Sequence, residues 1–216
     1  MNKEEKMSKA ILTIDDGPTS QTVKIIDWLF ERGVQPIMFF PGTDFEKNYE
    51  AGIHALRQGA IVGNHSLSHR HFSELPFEEG IEEIEAQEKN LERLYKDSNV
   101  KRTKKLFRFP YGDKGGKNAE AFQKFLEAEG FEKGRDGSGE RDWLWTFDFE
   151  EYKMQWNEGW TFEMSRKKIF EKTFNEISPR VLLIHDHPQS NKFEEGYFFK
   201  LIEAALESGV EFERPF

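Results

Sequence analysis

Short apolar runs alternate with longer amphipathic stretches along most of this chain. Residues 10–14 read as a strand that ends at Asp15 and Asp16, and residues 22–32 as a helix with Val23, Ile26, Leu29 and Phe30 on one side. Gly33 stops that helix, the strand 36–40 follows, and Pro41-Gly42 punctuates it. A helix over 49–58 ends at Gly59 before a strand over 60–62. The longest helix spans 77–96, with Phe77, Ile81, Ile84, Leu91, Leu94 and Tyr95 as its apolar stripe. Glutamates at 78, 79, 82, 83 and 85 are expected to form its solvated face. Strand 106–109, helix 118–129, strand 143–147, helix 162–177, strand 181–185, helix 197–208 and strand 210–213 complete the alternation. Strands separated by helices pair in parallel, so the fold class is α/β, either a barrel or a doubly wound sheet. No internal repeat or low-complexity linker divides the chain, and 134–139 is its most loop-like stretch. A single domain over 1–216, with its core at about 10–213, is the simplest organisation.

In both α/β architectures, chemistry gathers at the carboxyl ends of the strands. Four polar clusters sit there: Asp15-Asp16, His65-Ser-Leu-Ser-His69, Arg108-Phe-Pro-Tyr111 and His185-Asp-His187. No Gly-x-Gly-x-x-Gly or Walker-type loop follows a strand, which weighs against nucleotide binding. His65 and His69 share one face if the segment forms a helical turn, and one aspartate added to them makes three ligands with a position left for water. The plainer account is two histidines on a polar turn by chance; their place after a strand, matched by Asp-Asp after another, favours the metal.

Adjacent residues at a strand end point in different directions, so one aspartate can ligate while the other acts as general base. The sequence Asp-Gly-Pro-Thr before a helix also suits an N-cap, which would account for one of them. Arg108 within an apolar strand needs an anionic partner, either the base carboxylate or a purely structural one. Asp186 and Asp148 are the expected companions of His185. His54 is expected at the surface; His71 and His187 are expected to support the site or to be merely polar. Four of the five tryptophans fall between Trp143 and Trp160; core packing accounts for them most simply, while Trp156 and Trp160 offer faces for sugar rings.

Composition narrows the partners. Lys+Arg 31 against Asp+Glu 40 leaves a net charge of −9, which argues against nucleic acid or an anionic membrane. The absence of cysteine excludes disulfides, thiolate metal sites and cysteine nucleophiles. No apolar run reaches the length of a membrane span, and residues 1–10 are polar and charged, without the apolar stretch of a signal peptide. A cytoplasmic location is the expectation for the chain as written; a chain trimmed of its leader would read the same and be extracellular or periplasmic.

These motifs resemble those of the polysaccharide deacetylases of the NodB-homology type, carbohydrate esterase family four. Thr13-Ile-Asp-Asp-Gly17 is similar to the first motif of that family, Gly63-Asn-His-Ser-Leu-Ser-His69 to its second, Phe107-Arg-Phe-Pro-Tyr-Gly112 to its third and Leu183-Ile-His-Asp186 to its fifth. Met38-Phe-Phe-Pro-Gly42 is also similar to the family's second strand. The resemblance implies a distorted seven-stranded (β/α) barrel and a divalent metal, zinc (Zn2+) first among the candidates, on Asp16, His65 and His69. It further implies Asp15 as base, Arg108 orienting Asp15, the Tyr111 N–H as oxyanion donor, and His185 as acid with Asp148 tuning it. Leu183, Tyr152 and Trp156 are the expected substrate contacts. The reaction implied is hydrolysis of the N-acetyl group of an amino-sugar saccharide.

The fourth motif is matched loosely, by Asp148-Phe-Glu-Glu151-Tyr152, with tyrosine where the family carries tryptophan. Phe109 stands where proline is common, and Ile14 where phenylalanine is usual. These departures bear on the substrate more than on the metal or the acid–base pair. The same fold acting on O-acetyl esters, N-formyl sugars or another linear amide is the nearest alternative, and a non-catalytic saccharide-binding relative is a second. An iron oxygenase with two histidines and one carboxylate would need neither Arg108 nor His185 and usually sits on a jelly roll, which the helices here oppose. Sugar identity, linkage, chain length and oligomeric state are not written in these residues.

Overall fold

The structure, a computed structural model, describes residues 8–148, 180–186, 197–207 and 209–216. In chain order these form β1 (Ser8–Asp15), α1 (Thr22–Glu31), β2 (Ile37–Phe40), α2 (Tyr49–Gln58), β3 (Ile61–Asn64), α3 (Phe77–Ser98), α4 (Ala119–Ala128), β4 (Phe147–Asp148), β5 (Arg180–His185), α5 (Tyr197–Glu207) and β6 (Val210–Phe212). The helix expected over 162–177 lies outside the described residues. Every strand pairing is parallel, in the order β3-β2-β1-β5-β4, with β6 on the lower part of β1.

The strand expected over 106–109 is reduced to a single bridge between Asn64 and Phe107. Its ladder stops because the Phe109 N–H donates to the Asp142 side chain at 3.1 Å and Pro110 has no N–H to give. The strand expected from 143 is likewise shortened to Phe147–Asp148. Single hydrogen bonds nevertheless carry the pairing around. Asn64 N–H donates to Leu106 O (2.8 Å), Arg108 N–H to Asn64 O (3.0 Å), Trp143 N–H to Phe107 O (3.0 Å) and Thr146 N–H to Val181 O (2.9 Å). The path thus runs from β3 through 106–108 and 143–148 to β5 and back to β1. Counting β6, the seven expected strand positions of a distorted (β/α) barrel are occupied.

Two-residue periodicity sorts β1 between an inside and an outside. Leu12 and Ile14 face outward with Met38, Phe40, Val62, Leu182 and Ile184, and helices α1, α2, α3 and α5 bury them. Ile11 faces inward among Ile37, Phe39, Leu106 and Trp143, a small core within the barrel; Trp143 there is plain packing. Thr13 and Asp15 share that inward face. A third cluster of aromatic rings, Phe72, Phe107, Phe109, Phe122 and Phe131, fills the space beneath α3 and α4.

The glutamate face of α3 is only partly solvated. Glu83 is buried and accepts from the Ser68 N–H and Oγ, both at 2.7 Å. Glu88, also buried, pairs with Arg102 at 2.7 Å and accepts from Asn64 Nδ2 at 2.9 Å. These acids hold up the loop after β3. Among the described residues, no helix is long and apolar enough to cross a membrane.

Candidate active site

Three loops at the carboxyl ends of β1, β3 and the 106–108 segment bring the site together, with the end of β5 beside them. Asp15 is the last residue of β1, 2% exposed, and stands in register with Phe39 on one side and His185 on the other. The next residue, Asp16, takes a left-handed backbone (φ 65°), which turns its carboxylate toward the same space. Neither aspartate caps α1, whose N-cap position is Gln21.

The histidine pair is not on a helical turn. Ser66 (φ 64°) and His69 (φ 55°) are both left-handed, so residues 65–69 form an irregular loop. That loop is wound by side chains: Asn64 Oδ1 accepts from the Ser66 N–H at 2.8 Å, and Ser66 Oγ from the His69 N–H at 3.1 Å. The result still places the two Nε2 atoms 3.2 Å apart.

His65 Nδ1 lies 2.8 Å from the Arg108 carbonyl, which can only accept, so this nitrogen carries the proton and Nε2 presents its lone pair. Burial holds the His65 imidazole below its ordinary pKa, against the opposing pull of Asp15 and Asp16. Asp16 Oδ1 sits 3.2 Å from His69 Nε2 and 3.8 Å from His65 Nε2. It is buried and has no hydrogen-bond partner among the described residues. Burial pushes the Asp16 carboxyl up, but His69, His65 and His185 together outweigh it and hold the group well below the usual carboxylate range.

These three atoms fit a metal. All lie within 4.8 Å of one another. Ligand atoms about 2.0–2.2 Å from a tetrahedral zinc lie about 3.3–3.5 Å apart, close to the separations seen here. A buried carboxylate oxygen facing the lone pair of His65 Nε2 and a second imidazole nitrogen is costly without a cation and sensible with one.

Arg108 has no exposed surface. Its Nη1 donates to Asp15 Oδ1 at 2.7 Å and to Thr13 Oγ1 at 2.9 Å, and its Nε donates to the Trp143 carbonyl. The guanidinium lies over the Phe39 ring at 4.4 Å, with Trp145 at 5.7 Å. Asp15 is therefore gripped at Oδ1, while Oδ2 points toward His65 Nε2 at 3.6 Å. This carboxylate has one fixed oxygen and one available oxygen.

Tyr111 follows Pro110 in a tight turn with φ 58°, and the residue is 58% exposed. His185 ends β5 on the inward face, half-buried, and close enough to act on the charge of Asp16. Leu183, two residues earlier on that face, is buried opposite Thr13. Asp148 stands in register with Leu183. Tyr152, Trp156, Trp160 and His187 lie outside the described residues. Asp186 does not accompany His185. Its carboxylate accepts from Thr19 Oγ1 at 2.7 Å and from Thr22 Oγ1, on the outer side, because a strand alternates its faces. His54 pairs with Asp27 at 2.6 Å on the helical surface, as expected.

Sequence reasoning did not single out Thr13, Asn64, Asp113 or Asp142, each of which holds a site loop in place. Thr13 and Asn64 lie within the matched motifs, and period-two alternation was the available signal for Thr13. Asp142 carried no signal, since its role depends on a backbone N–H many residues away.

Comparison with known proteins bears on the family and the fold. The family model described as polysaccharide deacetylase matches residues 2–129. The peptidoglycan-N-acetylglucosamine deacetylase of Bacillus cereus is 25% identical over 214 residues, 98% of this chain and 70% of that protein. The solved Bc1960 peptidoglycan N-acetylglucosamine deacetylase shares the fold at TM-score 0.73 and 23% identity, over 97% of this chain and 86% of the other. A mutant of BA3943, a pseudoenzyme of carbohydrate esterase family four, also shares it, at TM-score 0.65 and 18% identity, over 97% and 66% of the two chains. With the model spanning more than half of its length, the chain belongs to the polysaccharide deacetylase family.

Proposed function

We propose that this protein is a metal-dependent hydrolase that removes N-acetyl groups from an amino-sugar saccharide. The observation that carries the reading is the convergence of Asp16 Oδ1, His65 Nε2 and His69 Nε2 beside a carboxylate, Asp15, that Arg108 keeps oriented. A zinc-like divalent ion held by Asp16, His65 and His69 supplies Lewis acidity toward water and the amide carbonyl. Asp15, gripped at Oδ1, accepts the proton of the attacking water at Oδ2. The Tyr111 N–H donates to the carbonyl oxygen as negative charge develops on it. His185 then gives a proton to the departing amine nitrogen, with Asp148 tuning its basicity. Leu183 forms one wall of the acyl pocket, and Tyr152 and Trp156 contribute to substrate binding. The comparison with a pseudoenzyme sharpens the reading, since a fold alone does not make a catalyst; here the candidate base, ligands and acid are all present.

The test is acetate release from N-acetylglucosamine oligomers, with acetylated xylan and formamido sugars as competing substrates, alongside metal analysis. About one zinc-like ion per chain is expected, and Asp15→Asn is expected to abolish acetate release while leaving that ion bound. A chelator-insensitive, metal-free enzyme overturns the metal role, and undiminished turnover in Asp15→Asn overturns the role of Asp15. Preferred release from xylan or formamido sugars moves the substrate to the ester or formyl class.

A further inference from the structure

Beside the ligand His69 lies a stack of side chains that the reaction above does not use. The imidazole of His71 lies nearly parallel to the Tyr111 ring, centroids 4.0 Å apart and planes 14° from coplanar. A second neighbour of that ring is His69, at 69° to it with centroids 4.7 Å apart. His71 is tethered in turn: its Nδ1 is 3.3 Å from Asp113 Oδ2. That carboxylate accepts from the Ser73 N–H (3.1 Å), Ser73 Oγ (2.6 Å) and, through Oδ1, the Gly115 N–H (3.1 Å). An exposed imidazole, with side-chain exposure of 46%, is thus fixed in place and orientation without being part of any core.

What it touches makes the arrangement useful. Tyr111 is a non-glycine residue in the left-handed region (φ 58°, ψ 10°), a conformation that persists only when its surroundings over-determine it. The Gly112 N–H to Phe109 O and Asp113 N–H to Pro110 O bonds close the turn, and the second holds the carbonyl of the same planar peptide that carries the Tyr111 N–H. Rotating the peptide between Pro110 and Tyr111 would send the Tyr111 N–H to the opposite side. Burial cannot resist that rotation, because the ring is mostly in water. The turn bond to Pro110 O opposes it, and the ring contacts of His71 and His69 add to this by fixing the side chain and so the Cα from which the N–H projects.

We propose that His71, anchored by Asp113, is a positioning residue that holds Tyr111 so that its N–H points at the reacting carbonyl. The inference rests on the proposed function, in which that N–H is the oxyanion donor. An oxyanion donor acts on the transition state far more than on the bound substrate, so its misplacement appears in kcat.

The experiment compares His71→Ala, which removes the ring, with His71→Phe, which keeps a stacking ring and loses the Asp113 contact. His71→Ala is expected to lower kcat about 10-fold or more with KM within about twofold, bound metal unchanged. His71→Phe is expected to recover most of that loss. An unchanged kcat in His71→Ala overturns the proposal, as does an equal loss in both variants accompanied by a raised KM, which would mark His71 as a substrate contact. The backbone amide resonance of Tyr111 reports the same geometry without turnover. It should shift and exchange faster in His71→Ala and stay near its original position in His71→Phe. A Tyr111 amide unmoved by His71→Ala overturns the proposal whether or not the enzyme releases acetate, and a shifted amide in a protein that releases none overturns only the proposed function.

Discussion

Two buried carboxylates lie near one buried guanidinium and are treated in opposite ways. Asp15 takes the Arg108 Nη1 directly at 2.7 Å, so its charge is compensated where it is needed. Asp142 is fully buried, with one hydrogen bond from the Phe109 N–H and an Oδ2 that has no partner among the described residues. Burial pushes its carboxyl up from the ordinary 3.8 to about 7, against the weaker opposing pull of the Phe109 N–H and Arg108. A raised carboxyl means that the folded state holds a proton the unfolded chain has released. This group's contribution is therefore most favourable below pH 4, falls as pH rises toward 7, and stays low above that. Asp142→Asn keeps an oxygen for the Phe109 N–H and cannot ionise. It should raise stability at pH 8 by a few kcal/mol and leave it little changed at pH 4, measured as thermal midpoints of the two proteins across that range. A midpoint difference that does not vary with pH contradicts the assignment. The Asp15 and Asp16 pair was legible as residues of interest because two acids ending an apolar strand are unusual. Asp142 was not legible, because nothing local to Arg141-Asp142-Trp143 reveals which backbone donor it will face.

Among the described residues, helix positions were read well from periodicity, while the segments between them were not. Residues 49–58 form a helix with the expected bounds, but the histidine loop, expected as a helical turn, is held by Asn64, Ser66 and Glu83 side chains instead. Left-handed residues such as Ser66 and His69 have no hydrophobic signature, so period alone cannot find them. The 106–109 strand failed for a related reason: its sequence suits a strand, but the Phe109 N–H goes to a side chain and Pro110 has no N–H to continue the ladder.

Packing between α3 and α4 gives a sharper test of element-level reasoning. Gly80, inside α3, faces Phe122 of α4 so closely that an added Cβ would lie 2.5 Å from Cζ of that ring. Phe122 cannot retreat, because Phe72, Phe77 and Phe109 surround it and Gly115 presses from another side. Helix propensity favours alanine over glycine by about 1 kcal/mol, while overpacking a filled site costs about 1–3 kcal/mol. Gly80→Ala should therefore come out destabilised, by up to about 2 kcal/mol, in urea unfolding. A stabilised variant would show that the aromatic cluster yields more readily than its packing implies.

Across the whole molecule, the alternation of strands and helices was enough to specify a parallel α/β fold, and motif order was enough to choose the barrel. What sequence could not supply was how the ring closes, since single hydrogen bonds from Asn64, Trp143 and Thr146 do the work that regular strands were expected to do. The metal assignment is also testable at this scale, because an ion that binds only the folded chain stabilises all of it. Zinc at about 1,000 times its dissociation constant should add about 4 kcal/mol to the unfolding free energy, and Asp16→Ala, His65→Ala or His69→Ala should each remove most of that gain. Equal midpoints with zinc and with chelator would rule out a tightly held ion.

The parallel pairing of β1 with β5 and β6 bears on the order in which the molecule is assembled. Asp15 lies opposite His185, and the Asp186 N–H reaches back to the Asp15 carbonyl. On a ribosome, Asp16, His65 and His69 emerge well before the strand that carries His185. Pairings of such long range are slow to form, because loop closure must be completed before they stabilise anything. The nascent chain thus holds the three candidate ligands before it holds the proposed acid, and the β1 edge that pairs with β5 waits for a strand far along the chain.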